Sequence, residues 1–154
     1  MDSITLSFAL LFTALTAVIV PVYYVKYGPT NFLWFSDIAL FGMLAALWLE
    51  NATIASMVAL AVLIPETVWV VSFFGKSCSA LAAYMFDPAI PRYLRALSLF
   101  RLALPPAIVW MLYRYGYDPR ALPATTLVAW LVLPASLALA PPEKNVNWVR
   151  GFGH

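Results

Sequence analysis

Five apolar segments, each of about the length that a helix needs to cross a bilayer, occupy most of this chain. A spanning helix requires roughly 20 apolar residues. Of the 154 residues, 64% are hydrophobic and only 10% are charged, whereas a soluble domain carries roughly 25% charged residues. The segments run from about Ser3 to Tyr27, Thr30 to Glu50, Ala52 to Phe74, Tyr93 to Tyr113 and Ala121 to Ala140. The sequence therefore predicts a single all-α domain, a polytopic transmembrane bundle of five spans.

The connections between these segments are short, so neighbouring helices are predicted to be antiparallel. The start, Met1-Asp2-Ser3, lacks the basic region of a cleavable signal peptide. The longest connection contains a predicted interfacial segment at about residues 76–91. Residues 141–154 form a short tail, whose Trp148 is expected to fold back to the membrane surface.

Basic residues divide unequally between the two sides of such a bundle. Arg114 and Arg120 fall on one side. The other side carries six: Lys26, Lys76, Arg92, Arg95, Lys144 and Arg150. Under the positive-inside rule, the amino terminus is predicted to lie outside and the carboxyl terminus in the cytoplasm.

Three ionisable residues lie inside the apolar segments, and they share one depth. Asp37, Glu66 and Arg101 each lie seven or eight residues inside the predicted cytoplasmic end of their span. At 1.5 Å per residue this places each of them roughly 10–12 Å below that surface. Charges at such a depth are costly in lipid, so they are expected to face the bundle interior and one another.

The shared depth of these three charged residues has two interpretations. Opposite charges pair simply to avoid an unsatisfied group, which gives a structural salt bridge, or they line a polar pocket that opens toward the cytoplasm. Two close carboxylates against one Arg leave an excess negative charge, so one carboxylate is predicted to hold a proton or to bind a cation. The residues predicted to line the pocket are Asp37, Glu66, Arg101, Trp34, Trp69 and Asn31.

Helical spacing places aromatic residues beside these charges. Pro65 frees a backbone carbonyl one turn before Glu66. The stripes predicted to face the interior are Trp34, Asp37, Phe41 and Trp48 on the second span, and Ala55, Ala59, Val62, Glu66, Trp69 and Phe73 on the third. Such stripes more often serve packing than ligand binding.

Missing residue types narrow the chemistry. His154 is the only His, so histidine-ligated haem or zinc and Ser-His catalysis have no protein ligands. The single Cys78 allows no intrachain disulfide and no multi-Cys metal site. The sequence contains no Walker or GxGxxG motif, and the net charge of +2 gives no basic run for nucleic acid. No cofactor and no metal are therefore predicted.

Several short segments stand out along the chain. They are YGPTNFLWFSD at residues 27–37, IPETVW at 64–69, YMFDP at 84–88, LSLF at 97–100 and NVNW at 145–148. In these the chain resembles a group of uncharacterised bacterial integral membrane proteins. The resemblance implies a multi-pass protein of the bacterial inner membrane and brings no established activity with it.

Two classes of function fit these features. The first is a protein that binds or transports a small molecule, a lipid or an ion through a pocket at the level of the three charges. The second is a non-catalytic subunit that packs its aromatic faces against other helices of a larger complex. An enzyme ranks third, because catalysis would depend on the three charges and nearby Tyr or Ser side chains. The expected partners are membrane lipids, other membrane subunits or further copies of the chain.

Overall fold

The computed structural model describes residues 1–75 and 81–151, which form a helical bundle without strands. The helices are α1 (Ser3–Tyr27), α2 (Phe35–Leu49), α3 (Ala52–Phe74), α4 (Arg92–Leu97), α5 (Phe100–Tyr115) and α6 (Ala121–Leu139). Short 3₁₀ turns cover Pro29–Leu33, Ala83–Phe86, Pro142–Lys144 and Val146–Trp148. The predictions that depend on Lys76, Cys78 and His154, and the start of the interfacial segment, lie outside the described residues.

Within the described residues, four helical stretches are long and apolar enough to cross a membrane. They are Ser3–Tyr27, Ala52–Phe74, Arg92–Tyr115 and Ala121–Leu139. The third of these joins α4 to α5 across a break at Ser98–Leu99, within the span that the sequence predicts from Tyr93 to Tyr113. These lengths and compositions indicate a membrane protein.

The predicted second span, from Thr30 to Glu50, contains a shorter helix than its length implies. Residues 29–33 form a 3₁₀ turn and α2 begins only at Phe35, which leaves a helix of 15 residues. Gly28 has a φ of 80°, Pro29 follows it, and Trp34 has extended backbone angles. A left-handed glycine and a proline stop α1, and the extended Trp34 separates the 3₁₀ turn from α2.

Contacts between helix ends show that the long helices alternate in direction. At one end, here called the Asp2 end, Arg114 Nε lies 2.9 Å from Asp2 Oδ2, and Thr53 Oγ1 donates to Asp118. This end gathers the starts of α1, α3 and α6 with the ends of α2 and α5. At the opposite end, here called the Asn31 end, the Tyr23 hydroxyl lies 3.2 Å from Ser98 Oγ. The antiparallel arrangement matches the short connections.

Each carboxylate that the structure describes at the Asp2 end has a cationic partner. The pairs are Asp2 with Arg114, Glu50 with the terminal ammonium of Met1, and Asp118 with Arg120. The backbone N–H of Thr5 and the Arg114 guanidinium lower the pKa of Asp2 to about 2. Donation from the Arg120 side chain, and then from Thr53, holds the pKa of Asp118 well below its ordinary value. This end is therefore a set of neutralised pairs.

The apolar core lies between α1, α2, α3 and α5. Its members include Phe12, Leu40, Val62 and Ile108, none of which is more than 1% exposed. Helix α6 lies outside this core, and its buried residues are Ala121 and Ser136. The bundle is thus a four-helix core with α6 packed on its flank, chiefly against α3.

Candidate functional site

A cavity of about 590 Å³ lies at the Asn31 end, where the polar residues inside the bundle converge. Its walls come from α1, the 3₁₀ turn before α2, the first turn of α2, α3, α5 and the tail that follows α6. All the residues predicted to line a pocket lie on it: Asn31, Trp34, Asp37, Glu66, Trp69 and Arg101.

Asp37 lies in the first turn of α2 and is only 4% exposed. Its Oδ2 accepts a hydrogen bond of 2.8 Å from Asn31 Nδ2 in the preceding 3₁₀ turn. The unpaired N–H groups at the start of a helix favour a negative charge there. The 3₁₀ turn that begins at Pro29 thus brings the Asn31 amide into contact with the Asp37 carboxylate. The same turn covers the Asp37 side chain.

Arg101, in the first turn of α5, joins the other polar groups across the cavity. Its Nη2 donates to Ser36 Oγ at 2.8 Å, beside Asp37 on α2. Its Nη1 lies 3.6 Å from Glu66 Oε1 on α3, which is an ion pair but too long for a hydrogen bond. The guanidinium lies over the ring of Trp69, 5.5 Å from its centroid, so one side chain connects three helices at a single level.

Two buried polar atoms on the α3 wall lack a hydrogen-bond partner within the described residues. They are Glu66 Oε2 and Trp69 Nε1, on side chains whose residues are 3% and 2% exposed. Residues three apart on a helix lie on the same face. An acceptor without a donor and a donor without an acceptor therefore lie one turn apart on the same face of α3, both closed off from solvent. Each unsatisfied atom costs about 1–3 kcal/mol.

The tail forms a part of the cavity wall that the sequence did not predict, as do Tyr23, Tyr84 and Ser98. Asn147 Oδ1 accepts from the Phe35 backbone N–H at 3.0 Å, and its Nδ2 donates to the Leu33 carbonyl at 2.7 Å. The Trp148 ring packs edge-to-face on Trp34, with centroids 6.5 Å apart. Trp148 therefore folds onto α2 and the cavity. The NVNW segment meets the YGPTNFLWFSD segment there, although 107 residues separate them in the sequence.

The signal for this wall is the pair of asparagines in NVNW. Asn145 and Asn147 have φ values of 39° and 54°, in the left-handed region that Asn tolerates better than other residues with a side chain. A polar, turn-forming segment directly after an apolar helix predicts a tight reversal of the chain. It does not by itself predict which surface the reversed segment contacts.

The buried stripe predicted on the third span is present, but the one predicted on the second is wrong in part. Phe41 and Trp48 are 41% and 44% exposed. The core face of α2 is instead formed by Leu40, Met43 and Leu47. Asp37 is buried beneath the 3₁₀ turn and lies at the flank of that face, so a stripe drawn through it is rotated toward the outside of the bundle.

The cavity combines three carboxylates with two cations. Glu143 and Lys144 of the tail join Asp37, Glu66 and Arg101 on its lining, and the Lys144 ammonium donates to the Tyr27 carbonyl. With all five ionised, the cavity carries one net negative charge. Among residues 1–75 and 81–151, no group of three His, Cys, Asp or Glu side chains is arranged to hold a metal ion.

Comparison with family models, curated proteins and solved structures gave no match to this chain.

Proposed function

We propose that this protein binds or transports a small molecule, a lipid or an ion in the cavity at the Asn31 end. The observation that carries the proposal is a cavity of about 590 Å³ whose lining brings together Asp37, Glu66 and Arg101. In a purely structural salt bridge, the carboxylate oxygens would accept hydrogen bonds from the guanidinium. Here Arg101 donates a hydrogen bond to Ser36, and its Nη1 lies 3.6 Å from Glu66 Oε1.

The proposed topology has five spans, with the amino terminus outside and the Asn31 end in the cytoplasm of a bacterial cell. Helix α2 has 15 residues and the preceding 3₁₀ turn has five. At about 1.5 and 2.0 Å per residue they total roughly 32 Å, enough for a hydrocarbon core of about 30 Å. The alternating helix directions support five crossings. Five described basic residues at the Asn31 end support its cytoplasmic placement, namely Lys26, Arg92, Arg95, Lys144 and Arg150.

The proposed relationship to bacterial inner-membrane proteins with YGPxNFLWFSD and NxNW segments has one supporting observation. Both segments line the same cavity, joined by Asn147 and by Trp34 against Trp148. If the two segments define the group, their contact is the reason that they occur together.

A second candidate function, a non-catalytic subunit of a larger membrane complex, draws support from α6. Trp130 on this helix is 76% exposed, and a groove of about 470 Å³ between α3 and α6 is lined by Leu60, Leu122, Thr125, Thr126, Ala129, Trp130, Leu133 and Pro134. A helix of a neighbouring subunit would pack against such a face.

Native mass spectrometry of protein extracted gently from its own membrane tests the first function. We expect the wild type to retain a bound small molecule or lipid. Ala61→Phe, which puts a ring into the cavity, should release it while the variant still melts cooperatively. The matched control is Ala129→Phe in the α3–α6 groove, which should leave the bound mass unchanged. Loss of the bound mass in Ala129→Phe alone, or its absence in the wild type, contradicts the proposal.

A further inference from the structure

We propose that the tail after α6 is a lid on the cavity at the Asn31 end, and that it lifts to let a ligand enter or leave. The juxtaposition that carries this inference is a strained segment that reaches from the helix outside the core to the opposite wall of the cavity. The inference rests on the proposed function and concerns access to that same site.

The tail brings α6 to a cavity that α6 itself does not line. The helical residues on the lining come from α1, α2, α3 and α5, and none of the lining residues lies in Ala121–Leu139. Five tail residues do line the cavity, namely Glu143, Lys144, Asn145, Asn147 and Trp148. A segment in this position lies in the path of a ligand that enters from the Asn31 end.

Polar side chains of the tail bond to the opposite wall of the cavity. The Lys144 ammonium donates to the Tyr27 carbonyl at the end of α1. The Asn147 amide accepts from the Phe35 N–H and donates to the Leu33 carbonyl, at 3.0 and 2.7 Å. In both contacts a side chain of the tail meets backbone groups of the bundle. The tail can therefore leave this wall without breaking a hydrogen bond within any helix.

Other contacts hold the tail to α6, the helix from which it continues. Arg150 Nη2 donates to the Leu137 carbonyl at 2.8 Å, and Asn147 Nδ2 lies 3.1 Å from Ser136 Oγ. Both acceptors belong to α6. These contacts can persist while the opposite wall is released, so the end of α6 is the point about which the tail would turn.

The closed position of the tail combines backbone strain with burial. Trp148 has a φ of 57°, in the left-handed region that a bulky side chain rarely adopts. Asn145 and Asn147 share this region, with φ values of 39° and 54°. Lifting the tail releases the strain but exposes Val146, which is fully buried. These opposing effects favour a closed tail that still opens, as locally unstable segments at functional sites do.

The rate of thiol labelling inside the cavity tests the lid. Ala61→Cys in a Cys78→Ser background places one thiol on the cavity wall. Its reaction with a maleimide is followed by the shift in mass of the purified protein in detergent. Adding Asn147→Ala should speed the reaction about tenfold, because loss of the Asn147 hydrogen bonds favours the open tail. An unchanged rate in the folded variant overturns the lid.

The matched control is Ser56→Ala, at the opposite end of the bundle. Ser56 is fully buried, and its Oγ accepts from the Asp118 N–H at 2.9 Å. The substitution leaves that N–H unpaired and lowers the melting temperature without touching the tail. Labelling of Ala61→Cys should keep its rate. Equal acceleration by Ser56→Ala and Asn147→Ala would mean that labelling follows general destabilisation, and would overturn the lid.

Hydrogen exchange on Ala61→Cys with the intact tail gives a second test, which does not require Asn147→Ala to fold. The Phe35 N–H is bonded to the tail through Asn147 Oδ1, so its exchange requires the same opening as labelling of the thiol. We expect the closed tail to slow both reactions by factors that agree within about tenfold.

A thiol that reacts as fast as in the unfolded chain, while the Phe35 N–H stays protected, overturns the lid. That result leaves the proposed function standing. The proposed function fails separately, if native mass spectrometry finds no retained molecule.

Discussion

Asn147 fastens the tail to the rest of the molecule through one side-chain amide. Its oxygen accepts from the first N–H of α2, at Phe35, a group that has no partner within the helix. Its nitrogen donates to the Leu33 carbonyl and to Ser136 Oγ, at 2.7 and 3.1 Å. Its φ of 54° places the backbone in the left-handed region. One residue thereby joins the start of α2, the end of α6 and the tail.

Asn147→Ala should lower the melting temperature of the detergent-solubilised protein. The substitution removes three hydrogen bonds and leaves partly buried groups unpaired at about 1–3 kcal/mol each. Alanine also adopts the left-handed region less readily than asparagine, whose polar side chain can bond locally.

The comparison variant Asn147→Gly loses the same hydrogen bonds but tolerates the backbone. It should therefore melt between the wild type and Asn147→Ala. If Asn147→Ala had the same melting temperature as the wild type in a thermal scan, this side chain would not be what holds the tail in place.

At the scale of the elements, the close approach of α2 and α3 brings the cavity walls together. A Cβ added at Gly42 would lie 2.6 Å from Val58 Cγ2, so the two helices meet where one of them has no side chain. Val58 is 5% exposed, and its β-branched side chain has one strongly preferred rotamer in a helix. This contact brings α2 close to α3 at the middle of α2.

Gly42→Ala should destabilise the bundle even though alanine has a helix propensity higher than that of glycine by about 1 kcal/mol. The overlap with Val58 forces a shift that costs about 1–3 kcal/mol. In a thermal melt, the double variant Gly42→Ala with Val58→Ala should recover part of the loss, because the overlapping methyl is absent. A single variant as stable as the wild type would mean that the helices separate freely at this point.

The elements also show where sequence reasoning succeeds and where it fails. The shared depth of Asp37, Glu66 and Arg101 is predictable because the rise per residue converts position in a span into depth. The rotation of α2 is not predictable from Asp37, since the 3₁₀ turn and not the core covers that residue. The position of Asn147 is also not predictable, because an irregular segment has no periodicity that would indicate its contacts.

The whole molecule has two unlike ends. The charges of the Asp2 end cancel in three pairs. At the Asn31 end several basic side chains donate to backbone carbonyls instead, among them Arg95 to Met85, Lys144 to Tyr27 and Arg150 to Leu137. The positive side chains therefore gather at the end of the bundle where the cavity lies. Basic side chains at a membrane surface attract anionic lipid headgroups.

We propose that the cavity inside the membrane-spanning bundle opens to the cytoplasmic side. Thiol accessibility provides a direct test. Ala61→Cys, in a Cys78→Ser background, places a single thiol on the cavity wall. A membrane-impermeant maleimide is added to sealed vesicles of either orientation, and labelling is followed by the shift in mass.

We predict that Ala61→Cys reacts when the maleimide contacts the cytoplasmic face and does not react from the other face. The control thiol of Ala129→Cys, in the groove between α3 and α6, should remain unmodified from both faces. A folded Ala61→Cys protein that is unreactive from both faces, or reactive from the outer face alone, would contradict a cytoplasmic opening of the cavity.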